Sequence, residues 1–115
     1  MVIIVIYKSE GRIQSEILLA VSKRGHKLFR SNAGKVQTKD GRWMKLMPAG
    51  YTDLTGHRAW DGKVIYIEVK TPTGKLRPDQ IKFRDAMLKH PVIYGVARSA
   101  TEAVDIIENG AKYLN

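Results

Sequence analysis

Val64-Ile65-Tyr66-Ile67-Glu68-Val69-Lys70 reads as a buried strand as far as Ile67, because β-branched and aromatic residues favour a pleated, packed environment. Two charges then break the pattern. Successive side chains of a strand point to opposite faces, so Glu68 and Lys70 share a face, about 7 Å apart along the strand. A buried charge is costly unless it is paired or holds a metal. A carboxylate and an ammonium closing an apolar strand therefore call for a chemical reason. Upstream stands Asp53, in Ala49-Gly50-Tyr51-Thr52-Asp53-Leu54.

Aspartate followed by Glu-x-Lys is the minimal layout for metal-assisted hydrolysis of a phosphodiester. That reaction needs an activated water, a cation to take up charge on the phosphate, and help for the leaving oxygen. Mg²⁺ prefers oxygen ligands and takes one or two carboxylates while keeping several waters. Asp53 and Glu68, on adjacent strands, meet that requirement, and Mn²⁺ would be held by the same donors. The backbone carbonyl of Val69, between Glu68 and Lys70, is a further candidate ligand. Lys70 is placed to hold or deprotonate the attacking water and to screen developing negative charge.

The rest of the composition narrows the partner. The 115 residues fit one domain spanning 1–115, large enough to bury roughly two thirds of its unfolded surface. With no cysteine, disulfides, thiolate zinc sites and cysteine nucleophiles are excluded, which suits a reducing cytoplasm. Twenty Lys and Arg against eleven Asp and Glu give a charge of +9 and a pI near 9.9. On so small a chain this favours a polyanion, nucleic acid before an anionic membrane surface. The basic residues recur singly, so the partner meets a folded surface. Met1–Tyr7 is apolar but too short to span a bilayer, and without a basic n-region it is not a signal peptide. A first strand, covered or paired with another subunit, is the expectation there.

The pattern elsewhere predicts a mixed sheet with helices packed on it. Ile13, Ile17, Ala20 and Val21 stripe a helix over Arg12–Arg24, begun by Ser9 or Gly11 and ended at Gly25. Glu16 lies at the edge of that stripe, toward the sheet margin. A short strand over Lys27–Arg30 leads into Ser31-Asn32-Ala33-Gly34. Val36–Met47 reads as a hairpin around a two-residue Asp40-Gly41 turn. Asp61-Gly62 joins the Asp53 strand to Lys63–Lys70. A helix from Arg77 or Pro78 to His90 follows, with Gln80, Phe83 and Met87 facing the sheet. Val92–Ala97 is another strand, and Thr101 caps a last helix reaching about Tyr113.

Gly50-Tyr51-Thr52-Asp53-Leu54, Ile67-Glu68-Val69-Lys70 and Gln80 on the following helix together resemble the PD-(D/E)xK nuclease superfamily. The chain is most similar to its virus-type replication-repair branch, VRR-NUC, over roughly residues 12–97. In that branch the first helix carries a glutamate, matched here by Glu16. A segment like Arg30-Ser31-Asn32 follows, then the Gly-x-x-Asp turn, Glu-Val-Lys, and a Gln-x-x-Phe that Gln80 to Phe83 matches. The resemblance implies an α/β fold with a restriction-endonuclease-like αβββαβ core: one domain, with a central mixed sheet flanked by helices. It implies a divalent-metal-dependent endonuclease acting on branched DNA, like a Holliday-junction resolvase, in replication, recombination or repair. It further implies a homodimer and a phage or bacterial cytoplasmic setting. Glu16 would then join the metal directly or through water, and Gln80 would orient Lys70 or a phosphate.

Each element also has a plainer reading. Charged strand ends pair across sheets, Asp occupies turns, and a helical Glu sits beside Lys or Arg in solvent. Arg30, Asn32, Lys35, Arg42, Lys45, Lys75 and Arg77 are candidate DNA contacts that would grip the backbone without reading sequence, or else solvated charge. Trp43 and Trp60, expected to flank the site, suit packing or a subunit contact, or stacking on unpaired bases. His26, His57 and His90 lack the close pairing of a zinc site. The competing function is a basic DNA-binding module without catalysis, which would bind in a salt-sensitive way and cut nothing.

Overall fold

The computed structural model describes residues 8–32 and 35–115, and the side chains of Lys35 and Lys45 fall outside that description. The strand expected over Met1–Tyr7 lies outside it as well. In chain order the elements are α1 (Glu10–Lys23), β1 (Lys27–Arg30), β2 (Lys35–Gln37), β3 (Trp43–Lys45), β4 (Leu54–His57), β5 (Val64–Val69), α2 (Pro78–Met87), β6 (Ile93–Ala97) and α3 (Ala100–Asn109).

Four strands form one mixed sheet in the order β1-β4-β5-β6. The first two pairings are antiparallel, while β5 and β6 run parallel, as the α2 crossover between them requires. The alternation along β5 sorts the molecule into two layers. Ile65, Ile67 and Val69 join Leu54, Ile93 and Ala97 in the main core, against Ile13, Ile17 and Val21 of α1 and Ala103, Ile106 and Ile107 of α3. Each of these isoleucine, leucine and valine side chains, fully buried, contributes roughly 1.5–3 kcal/mol. Tyr66 and Glu68 point the other way, toward α2. There Tyr51, Tyr66 and Phe83 meet edge to face, with ring centroids 5.1–5.9 Å apart. The strand is apolar on both faces because both faces are covered.

Turn and cap chemistry moved several boundaries. Ser9 starts α1, its Oγ accepting from the Arg12 N–H at 3.2 Å. The β2–β3 hairpin does not turn on two residues. Thr38 N–H donates to Arg42 O, leaving a three-residue loop in which Gly41 takes the left-handed conformation (φ 87°). In α3 the cap is Ser99, not Thr101, because the Ser99 Oγ accepts from the Glu102 N–H at 3.1 Å. That helix stops at Asn109, and Gly110 (φ 69°) turns the chain back so that Tyr113 O accepts from Val96 N–H of β6. Apolar spacing continued past the helix; the glycine ended it. Likewise α2 ends at Met87, short of His90. The β2–β3 pair forms a sheet of its own, apart from the main one.

The far end of the sheet is closed by an ion cluster. Glu108 of α3 accepts from Arg24 Nε and from His26 Nε2, both at 2.7 Å. His26 is buried, and its Nδ1 accepts from the Ala59 N–H at 2.9 Å, so Nε2 carries the proton it donates to Glu108. The Arg24 and His26 bonds hold the Glu108 carboxyl at about 2, below its ordinary 4.5. A depressed carboxylate stabilises the fold above its unfolded value, and the effect is lost as pH falls through the folded one. Glu108→Gln should therefore lower the melting temperature at pH 7. The gap to the parent should close between about pH 4.5 and 2, which parallel melts across that range will check. Among the described residues, no helix is long and apolar enough to cross a membrane.

Candidate active site

The α2 face of β5 gathers the buried charges. Glu68 is 1% exposed and Lys70 7%, an unusual depth for both charges. Asp53 stands one residue before β4, in a bend and not on the strand itself, yet its O accepts from the Ser31 N–H at 2.8 Å and so continues the β1–β4 ladder. Its Oδ2 accepts from the Val69 N–H at 2.8 Å. The N–H and C=O of one strand residue face the same neighbour, so the Val69 carbonyl also opens toward Asp53. One backbone unit thus fixes the aspartate beside Glu68.

Gln80 completes the support. Its Oε1 accepts from the Arg77 N–H at 2.9 Å, which leaves the amide Nε2 to donate to Glu68 Oε1 at 2.6 Å. The helix start therefore aims the glutamine at the carboxylate. Lys70 Nζ lies 3.8 Å from the same Oε1, an ion pair slightly beyond hydrogen-bond length. Glu68 Oε2 is buried with no partner at all. Burial, followed by the Asp53 charge, raises the Glu68 carboxyl from 4.5 to about 8. Asp53 is near enough to act through its charge and, when Glu68 is protonated, as its acceptor.

Gly50 sets the loop that delivers Asp53. Its φ is +79°, and a Cβ there would stand 2.1 Å from the Asp79 carbonyl oxygen in the first turn of α2. Only glycine fits both the backbone angle and the gap. Gly50→Ala should destabilise the protein by about 2–4 kcal/mol, read as a lower denaturant midpoint.

The helix carboxylate that faces this group is Glu10, not Glu16. Glu10 is partly buried in the first turn of α1, which raises its carboxyl, and it feels the charges of Asp53, Lys70 and Arg77. Glu16 pairs instead with Lys8 at 2.8 Å and Arg12 at 3.4 Å, in partial contact with solvent. Six residues along a helix is about 9 Å and roughly 240° of rotation, so both cannot face one site. The signal for Glu10 was its place directly after the Ser9 cap.

The basic residues are dispersed. Arg30 bonds Gln14 and Ser15 of α1, and Arg42 pairs with Asp40 inside its own hairpin loop. Arg77 pairs with Asp79 yet stays within electrostatic reach of Glu10. Asn32, in the left-handed region at φ 51°, and Lys75 are exposed. Trp60 does not flank the site. It packs edge-on against His26 at 5.2 Å, under Arg58, at the opposite end of β4 and β5. Trp43, on the hairpin, is exposed.

No group of three or more His, Cys, Asp or Glu side chains that could hold a metal is found among the described residues. Two carboxylates fit a divalent cation even so. Mg²⁺ asks for no more, and the unpartnered Oε2 of Glu68 is an oxygen that such a cation could take.

A mixed sheet with an aspartate at one strand end and Glu-x-Lys on the next is the frame of the PD-(D/E)xK nucleases. A family model for the VRR-NUC domain matches residues 7–101, and the chain belongs to that family. A solved VRR-NUC domain superposes with a TM-score of 0.63 at 21% identity, over 89% of this chain and 97% of that one, and shares its fold. No curated protein matches the chain. Membership makes the chain a nuclease-family domain, with the DNA binding and divalent-metal use general to that family.

Proposed function

We propose that residues 1–115 act as one Mg²⁺- or Mn²⁺-dependent endodeoxyribonuclease domain that cuts branched DNA. The observation that carries this reading is the buried Glu68, with its Oε2 unpartnered, the Asp53 carboxylate within electrostatic reach and Lys70 alongside. Asp53, Glu68 and the Val69 carbonyl would hold the ion, with Glu10 taking the role first expected of Glu16. A divalent cation there would supply Lewis-acid charge at the scissile phosphate and make water more acidic.

The residues themselves do the positioning. Gln80 keeps Glu68 Oε1 engaged, so Oε2 stays free for a ligand. Lys70 supplies a fixed positive charge where the phosphate becomes more negative, and its ammonium can hold the attacking water. The Val69 N–H locks the rotamer of Asp53. The basic surface would hold DNA by its backbone, and a choice among DNA structures would then come from shape.

A single such group among the described residues supports a homodimer for paired cuts in a junction. We place this action in the cytoplasm of a bacterial or phage-infected cell, a reducing setting that the cysteine-free sequence suits. The test is incubation with labelled four-way, forked and linear DNAs in Mg²⁺, Mn²⁺ or EDTA. Cleavage that requires the metal and is lost in Asp53→Ala, Glu68→Ala and Lys70→Ala is expected. Salt-sensitive binding with no cleavage in any metal would favour the binding module instead.

A further inference from the structure

We propose that Arg98 is a positioning residue for Lys70, acting through the Thr71–Gly74 turn. Only the name of the reaction it serves rests on the nuclease reading. Lys70 is followed at once by Thr71-Pro72-Thr73-Gly74, a turn closed by the Gly74 N–H donating to Thr71 O at 3.1 Å. The Arg98 guanidinium spans that turn. Its Nη1 donates both to Thr71 O and, at 2.8 Å, to Gly74 O, while Nη2 donates to Asn115 O at 3.1 Å. The backbone of Arg98 is held in turn, its N–H donating to Glu102 Oε1 at 2.9 Å.

The turn so held lies on the stem of the lysine. A Cβ at Gly74 would stand 3.5 Å from Lys70 Cδ and 3.2 Å from Thr71 Oγ1. This wall matters because the ammonium has little else to fix it: its distance to Glu68 Oε1 is 3.8 Å, and a long flexible stem needs packing to hold one rotamer. The backbone of Lys70 is pinned from the same place, since its N–H donates to O of Ala97, the residue before Arg98. The end of β6 thus fixes both the root of Lys70 and the lid over its stem. The same connection runs on to Arg77, whose N–H orients Gln80. The two nitrogens of the guanidinium bond both turn carbonyls and Asn115 O at once, a spread that the single ammonium nitrogen of lysine cannot repeat.

The test measures Lys70 directly. Brief acetylation of the folded, metal-free and DNA-free protein, read by peptide mass spectrometry, reports how open each lysine is, with exposed Lys82 as the internal reference. Arg98→Ala is expected to raise Lys70 labelling about tenfold while Lys82 is unchanged, and to lower kcat about 10–100-fold with KM for DNA changed little. Arg98→Lys should show most of the same loss, which separates the fork from its charge. If Arg98→Ala does not fold, Arg98→Gln should open Lys70, because a shorter side chain with two N–H donors cannot make all three of these bonds.

Unchanged Lys70 labelling in whichever variants fold would overturn the proposal. So would a variant whose only effect is a raised KM that Arg98→Lys restores. Because labelling needs neither metal nor cleavage, it decides the clamp even where the nuclease reading fails.

Discussion

A Glu68→Gln variant is expected to cut no DNA and yet to outlast its parent on heating above pH 8. The cause is the cost of keeping a carboxylate charged where water cannot reach it and beside another carboxylate. Its folded value, about 8, stands above its ordinary 4.5. A raised carboxyl contributes stability that is whole below the unfolded value and is lost as pH rises through the folded one. Parent and variant should therefore melt together near pH 5. They should separate through pH 8, by an amount on the order of 1–3 kcal/mol at pH 9. The amide still accepts the Gln80 bond, so the fold keeps its contact while any ion loses a charged donor. Cleavage should fall on the order of a thousandfold or more. A melting gap that stays constant from pH 5 to 9 would remove the burial account of Glu68.

Adding Mn²⁺ to the metal-free protein should raise its melting temperature by several degrees, and EDTA should reverse the gain. A ligand at a hundred times its dissociation constant stabilises by about 2.7 kcal/mol. In a domain of this size that is on the order of 10 °C. Asp53→Ala should flatten the response, because one of the two charged donors is gone. Binding at pH 7 should also release protons, since Glu68 is largely protonated below its folded value and must ionise to act as a donor. Calorimetry in two buffers of different ionisation enthalpy measures that release. A shift of equal size in the Asp53→Ala protein would place the ion elsewhere.

The chemistry was legible because it lay in one strand and one loop. Glu68 and Lys70 share a face by the period of two alone, whereas Asp53, expected on a strand, stands in the bend just before it. Gln80 was readable through Pro78 and Asp79, which fix where its helix starts. Glu16 shows where such reading stops. Spacing identifies a helix but leaves its first residue open, and here one turn decides which carboxylate faces the site. The Ser9 hydroxyl settles that start, and it takes Glu10 inward. Thr101 and Tyr113 fail for the same reason at α3, where capping by Ser99 and Gly110 overrides apolar spacing. The contacts of Arg98 had no local signal, since its partners in the turn are more than twenty residues away in sequence.

The alternation along β5 also limits how this molecule can vary in length. Deleting one residue between Val64 and Val69 would exchange the two surfaces of the strand, sending glutamate into the packing against α1 and α3 and isoleucine into the candidate site. Both the fold and the chemistry would fail in a single event, and no compensating substitution nearby could recover them. Tolerance to insertion belongs instead to the Lys39–Gly41 connection, which joins two strands outside the main sheet.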